Sequence, residues 1–451
     1  VFQQDGYDIY SLELGARSVP PARLVATAAA LPPLERARSS LLGLLENPTR
    51  GLPTGTGFQA TDYSGGLGLT YIGQPTLVAG TSQFGTFIGG GISLYFSDIL
   101  GNHNLATAVQ ATNEIEDLAA YVAYTNLKSR LNWGLAVQQQ PYRVGGYALG
   151  ESELDGEPVL VAQQLLERQI NRDAVAFVAY PLSETQRVEL SAGYSNISFD
   201  RELQTRAFSL NTGELVFDEE EELEAGEALD LGVGAAALVF DNSIFGATSP
   251  IAGGRYRFEV GGTLGSLDFV RALGDFRQYF LPVRPLTFAF RLLHYGRYGP
   301  DAEDPRLQPL FLGTEGLVRG YHYGSFDATE CVPNVENPDS CPVFEQLLGS
   351  RLAVANAELR FPLLGIFGGG AGDYYGGFPI ELALFGDAGL AWDSDNEPWF
   401  TADGGREPVF SAGAALRINL FGFAVAELNA AKPFDRPGKG LVWQLLLQPG
   451  F

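Results

Sequence analysis

From Gly85 to the C-terminus, apolar and polar residues alternate with a period of two, the repeat of β-strands whose successive side chains face opposite sides. In 86–96, Ile88, Ile92, Leu94 and Phe96 share one face against Gly89, Gly91, Ser93 and Tyr95. Leu131, Trp133, Leu135 and Val137 oppose Asn132, Gly134 and Ala136, and Val188, Leu190, Ala192 and Tyr194 oppose Arg187, Glu189, Ser191 and Gly193. Tyr256, Phe258 and Val260 stand against Arg257 and Glu259. About sixteen such runs follow one another, beginning with 85–98 and including 131–140, 158–169, 173–182, 352–361, 380–392 and 441–448. An even strand number suits a membrane barrel. Alternation alone does not say which face points inward, so a soluble β-sandwich or propeller stands as the alternative at this point. The fold expected is all-β: a transmembrane antiparallel β-barrel of about sixteen strands, with a long extracellular loop folded into its lumen. A barrel that wide has a lumen that side chains alone do not fill.

The remaining chain divides by composition. Residues 1–14 end in an alternating strand, and Gly6-Tyr-Asp-Ile-Tyr10 resembles the closing strand of a TolB-type β-propeller, which implies an upstream periplasmic propeller-like domain. Residues 15–61, rich in Pro and Ala, read as a linker, 62–84 as a lead-in, and 85–451 as the barrel. The chain starts at Val1 with no apolar leader and contains no Met, so the translated start is expected to lie upstream. With both barrel ends on the periplasmic side, 200–226, 298–351, 393–408 and 432–440 become the outward connections, and 182–186 and 281–285 are tight inward ones. Residues 141–157 and 362–379 are long for inward turns.

Composition supports strands over helices. Glycine (56) and aromatics (12%, with 30 Phe and 19 Tyr) are abundant, mean hydropathy is near zero, and no run reaches the roughly 18 apolar residues of a membrane helix. The net charge of −24 argues against nucleic acid as a partner. The run Glu219–Glu222, with Glu224 and Glu227, reads as a solvated loop, since no spaced calcium-loop pattern accompanies it. Cys331 and Cys341, close together in a polar stretch, suggest a small disulfide loop in an oxidising compartment. His103, His294 and His322 are scattered, and no nucleophile elbow, P-loop or Cys/His metal spacing occurs. No catalytic residue, metal site or cofactor is expected. His294 falls in the lipid-facing phase of its strand, as a girdle residue.

The chemistry concentrates in the long loop. Arg319, flanked by Gly316 and Gly320, can be carried on tightly turning backbone. In 380–392, Glu381, Ala383, Phe385, Asp387 and Gly389 share the lumen phase, and Asn356, Glu358 and Arg360 point the same way on the strand before it. A guanidinium fork matches a carboxylate bidentately, so Arg319 is expected to meet Asp387 and Glu358. Val318-Arg-Gly-Tyr321 resembles the Val-Arg-Gly-Phe/Tyr motif in the sixth extracellular loop of BamA/TamA-type outer-membrane assembly barrels. Phe385-Gly-Asp-Ala-Gly389 resembles that superfamily's Phe-x-Asp-x-Gly strand motif, and Asn356-Ala-Glu-Leu-Arg-Phe-Pro362 its intervening strand. The resemblance implies a loop lock by an Arg319–Asp387 contact inside a sixteen-stranded barrel, in a bacterial outer membrane. It also implies preceding POTRA domains, and none is visible in this sequence.

Leu441, Trp443, Leu445 and Leu447, in phase with the terminal Phe451, resemble the C-terminal signal for barrel insertion. Pro449 breaks pairing near the end of the last strand, and Gly89, Gly90 and Gly91 lie in the expected first strand. Together they mark a possible seam, comparable to the family's lateral gate; glycines that merely permit barrel curvature are the equal alternative. The expected function is outer-membrane protein assembly, insertion or translocation. A structural anchor for a periplasmic propeller or larger complex is the alternative, and a passive pore the third reading. Expected partners are outer-membrane lipids and lipopolysaccharide, nascent outer-membrane or secreted polypeptides, and periplasmic or envelope proteins.

Overall fold

The computed structural model describes residues 2–3, 6–7, 63, 65–73, 75–82, 85–112, 117–154, 156–314, 316–327, 330, 341–363, 379–401, 405–420, 422 and 424–447. The chain divides into two units, Val1–Ser64 and Gly65–Phe451. In the first, Phe2–Gln3 pairs antiparallel with Gly6–Tyr7. The expected linker at 15–61 lies outside the described residues, as do Cys331, Pro449 and Phe451.

The second unit is one antiparallel sheet in which each strand pairs with the next. Its strands are β1 (in two segments, Gly68–Ile72 and Thr76–Ser82), β2 (Gly85–Ser97), β3 (His103–Thr112), β4 (Ala119–Asn126), β5 (Asn132–Leu154), β6 (Glu157–Pro181), β7 (Gln186–Ser209) and β8 (Leu229–Asp241). They continue as β9 (Pro250–Gly265), β10 (Phe269–Val283), β11 (Leu286–Tyr298), β12 (Arg351–Pro362), β13 (Ile380–Trp392), β14 (Val409–Leu420), β15 (Ala424–Pro433) and β16 (Val442–Leu447). The order of neighbours brings β16 beside β1, with no residue-by-residue register described at that junction.

The number sixteen agrees with the alternation, but two differences cancel in reaching it. Residues 68–82, expected as a lead-in, pair with β2 as the first strand. The runs at 158–169 and 173–182, expected as two strands, are halves of β6, and 141–157 is the top of the β5–β6 hairpin rather than an inward turn. The physical reason lies on the outer face. Trp133, Leu135 and Val137 on β5 and Val178 and Tyr180 on β6 form an apolar belt, which ends at Gln139 and Arg172, hydrogen-bonded to each other at 3.0 Å. Above that row the apolar belt gives way to charged side chains, with Arg143 and Arg168 paired to Asp117 and Arg168 to Asp200, so lipid no longer imposes alternation and the strand reads as loop. β5, β6 and β7 run for 23, 25 and 24 residues, about twice the 9–11 needed to cross a bilayer. The acidic run, expected as a loop, belongs to a strand, Leu215–Leu223, that pairs with the top of β7 at this sheet's edge.

Burial decides which way round the barrel is. Arg360 and Glu381 are 0% exposed and Arg417 1%, all on the inner face, whereas Phe258 is 47% exposed and Val260 61% on the outer one. A soluble barrel does the reverse; an apolar outside with paired charges inside suits lipid around the sheet.

Candidate functional site

The loop between β11 and β12 turns back into the lumen, its base tied by Leu310–Phe311 pairing with Leu348–Gly349. It rests on an apolar seat. Leu312, Val318, Tyr321 and Leu347 of the loop pack against Leu293, Leu352, Val354, Ala391 and Val409, which point inward from β11–β14. The seat requires Gly389 to lack a side chain, since a Cβ there would lie 2.5 Å from Val318 Cγ2. Gly320 takes φ 90°, a conformation other residues adopt only at a cost, and turns the chain between Arg319 and Tyr321.

Arg319 then meets its expected partners. Its Nε donates to Asp387 Oδ2 at 2.8 Å and its Nη2 to Asp387 Oδ1 at 2.7 Å, a bidentate fork. Its backbone N–H donates to the same carboxylate at 3.1 Å, and Nη1 donates to Glu358 Oε1 at 2.5 Å. The guanidinium lies 3.5 Å from the Phe385 ring centroid. Both carboxylates are fully covered.

The pair is the top of a larger buried network. Asn356, directly across from Asp387, donates to Asp387 Oδ1 at 2.9 Å. Arg417 donates to Glu358 at 2.9 and 3.0 Å, to Glu381 at 3.2 Å and to Glu427 at 2.5 Å, and Arg360 donates to Glu358 at 2.7 Å. Three arginines thus face four carboxylates, and Ser249 donates to the fourth, Glu381, at 2.9 Å. Ser249 belongs to a strap from the opposite end of the barrel. The β8–β9 connection reaches under the network, with Pro250 O accepting from Arg360 at 3.0 Å and Ala247 O accepting from Asn419 at 2.5 Å. The network is therefore capped by the loop on one side and by the strap on the other. Buried charges persist only where such partners are complete.

A second knot holds the loop to the β15–β16 connection. The fully buried Arg436 side chain donates to Gly320 O (2.6 Å), Ser325 Oγ (2.8 Å), Ser325 O (2.7 Å) and both oxygens of Glu330 (2.7 Å each). Lys439 donates to Asp327 and Glu330, and Tyr321 OH donates to Phe410 O at 2.9 Å. Burial alone would raise the Glu330 carboxyl, but the hydrogen bonds from Arg436 and Lys439 outweigh it and hold it at about 2.

The structure thus brings together Val318, Arg319, Gly320, Tyr321, Glu358, Phe385, Asp387 and Gly389. Cys341 is disulfide-bonded. Leu441, Trp443, Leu445 and Leu447 all lie on the outer face. The glycines of the expected seam are elsewhere: Gly89, Gly90 and Gly91 pair with Val78, Leu77 and Thr76 of β1 on one side and with β3 on the other. The extra first strand moves them one strand inward from the junction, where β1 itself now stands. His294 is on the outer face, with Nε2 2.7 Å from Tyr298 OH and its ring stacked on Trp392. Arg417 and Glu427, not singled out in the sequence, carried a usable signal, being cross-strand neighbours in the lumen phase. Arg436 and the strap carried none, because both sit in turns.

Comparison with known proteins follows this geometry. The Omp85 superfamily domain matches residues 170–444. The fold is similar to that of BamA from Haemophilus ducreyi lacking POTRA domains 1–3, at 15% identity and a TM-score of 0.50, over 83% of this chain and 69% of that one. CdiB from Acinetobacter baumannii aligns at 14% identity and a TM-score of 0.41, over 82% of this chain and 57% of its own length. No curated protein matches the chain. None of these findings supports a TolB-type propeller remnant in residues 1–14.

Proposed function

We propose, from the premise that the chain belongs to the Omp85 superfamily and is a barrel of the outer membrane, that it inserts or translocates polypeptides at the junction of β16 and β1. Members of this superfamily are non-enzymatic membrane barrels that engage substrate polypeptides. The observation that carries the reading is the loop locked through Arg319 and tied by Arg436 to the connection that leads into β16. A loop so placed links the occupancy of the lumen to the strand at the junction. Among the described residues β16 pairs with β15 over Val442–Leu447, and β1 is interrupted between Ile72 and Thr76, whereas β5–β7 are paired over more than twenty residues. Substrates on this reading are nascent outer-membrane or secreted polypeptides, with outer-membrane lipids and lipopolysaccharide around the barrel and envelope proteins as further partners.

The test is depletion of the chain combined with a locked junction. Levels of other outer-membrane and surface proteins should fall on depletion and return with the wild-type chain. They should not return with a chain whose β1 and β16 are joined by an engineered disulfide. Unchanged levels on depletion would sink the assembly reading and favour a structural anchor. That second reading has its own support, because loop and strap together fill the charged side of the lumen.

A further inference from the structure

Cations in the lumen are segregated. Beside the network on β12–β15, where carboxylates outnumber arginines, the β9–β11 wall reverses the balance. Arg255, Arg277 and Arg291 are direct cross-strand neighbours on β9, β10 and β11. Among the described residues, Asp275 is the one carboxylate bonded to any of them, taking hydrogen bonds from Arg277 at 3.0 and 2.7 Å and from Arg291 at 3.1 and 3.0 Å. Like charges directly opposite one another destabilise a sheet. In a chain of net charge −24 the row is a local feature, not a reflection of composition.

Three donors around this row lack an acceptor among the described residues. Arg277 uses Nε and Nη2 on Asp275, and its buried Nη1 has no partner among the described residues. Arg255, its cross-strand neighbour, makes no hydrogen bond or ion pair with any of them. Tyr279, two residues along β10 on the same inner face, is 2% exposed, and its hydroxyl has no partner either. The Arg360 guanidinium lies 5.7 Å from the centroid of its ring. A buried donor left without an acceptor costs about 1–3 kcal/mol, and more when charged. Water would satisfy the hydrogen bonds but not the charge.

We infer that Arg255, Arg277 Nη1 and Tyr279 OH form an internal site for one oxyanion, a phosphate or a carboxylate group, held in the lumen between the locked loop and the strap. Two guanidinium groups from adjacent strands with a hydroxyl beside them form the donor set that such a group accepts from. The site is separate from the Arg319 lock and does not depend on transport.

The experiment uses the purified full chain in detergent. Its unfolding temperature is followed while inorganic phosphate or sodium acetate is titrated in, with ionic strength held constant by sodium chloride. A saturable rise is expected with one of the two, which assigns the group as phosphate-like or carboxylate-like. Arg255→Gln and Tyr279→Phe should each weaken that binding by about tenfold or more, the worth of a charge-assisted hydrogen bond. Neither side chain has a hydrogen bond to another described residue to lose, so both variants should fold, and Arg255→Gln should match or exceed wild-type stability without anion. Weakened binding in either variant supports the site. No saturable rise with either anion, or wild-type affinity in both variants, overturns it.

Discussion

Replacing Arg319 by Ala tests the lock, and the structure sets the scale of the loss. The change leaves two carboxylates with no solvent access and removes one fork and one further hydrogen bond. Breaking a buried ion pair from one side costs about 3–5 kcal/mol. Two features place this case at the low end. Glu358 keeps Arg360 and Arg417, and Asp387 keeps Asn356 and the backbone N–H at 319. The expected loss is about 3 kcal/mol. Asp387→Asn preserves shape and removes charge, while Arg319 retains Glu358, so it should cost about 2 kcal/mol. In the double variant the damage is shared, and the sum should stay near about 3 kcal/mol, a coupling of about 2 kcal/mol. The assay is urea unfolding of the four proteins in detergent by tryptophan fluorescence, with heat-resistant gel mobility as a second readout. Losses that add to within about 0.5 kcal/mol would mean the two residues do not act on each other, and the lock would fall.

Three further outcomes follow from single residues. Gly389→Ala should unseat Val318 and destabilise the docked loop by about 1–3 kcal/mol, read as faster protease cleavage of the loop. Glu330, held at about 2 against 4.5 when free, contributes stability that is present above about pH 4.5 and is lost as pH falls towards 2. Loop release should therefore rise on acidification over that window, and Glu330→Gln should release the loop at neutral pH and flatten the profile. On the protruding sheet, Glu202 is raised to about 7, first by its hydrogen bond with Glu220 and then by burial, against the pull of Arg168. A raised carboxyl stabilises below pH 4.5, and that stability is lost as pH rises through about 7. Hydrogen exchange along β7 and the acidic strand, relative to the intrinsic rate, should accelerate as pH rises from about 4.5 to about 7, and Glu202→Gln should remove the dependence.

The parts of this molecule that were legible in the sequence are those where lipid imposes a pattern. From β9 to β15, one face meets lipid and the other the lumen, so Asp387, Glu358 and Gly389 declared their side by parity alone. Arg319 was legible through its flanking glycines and the motif around it. Parity failed at the top of β5 and β6, where the apolar belt gives way to charged and polar side chains over 167–173, and before β2, where the break between Ile72 and Thr76 hides the first strand. Turns carry no parity, which is why Arg436 and Ser249 gave no sign of reaching across the lumen. The row of Arg255, Arg277 and Arg291 was visible as inward arginines, but their shortage of acceptors is a property of three dimensions only.

The central claim is that the loop sits in the lumen, held by Arg319. A Cβ at position 389 would lie against the Val318 side chain, so cysteines at 318 and 389 are close enough to bond. Val318→Cys with Gly389→Cys should form a disulfide in membranes under mild oxidation, and adding Arg319→Ala should slow its formation sharply. Failure of the two cysteines to cross-link while Arg319 is intact would contradict the account.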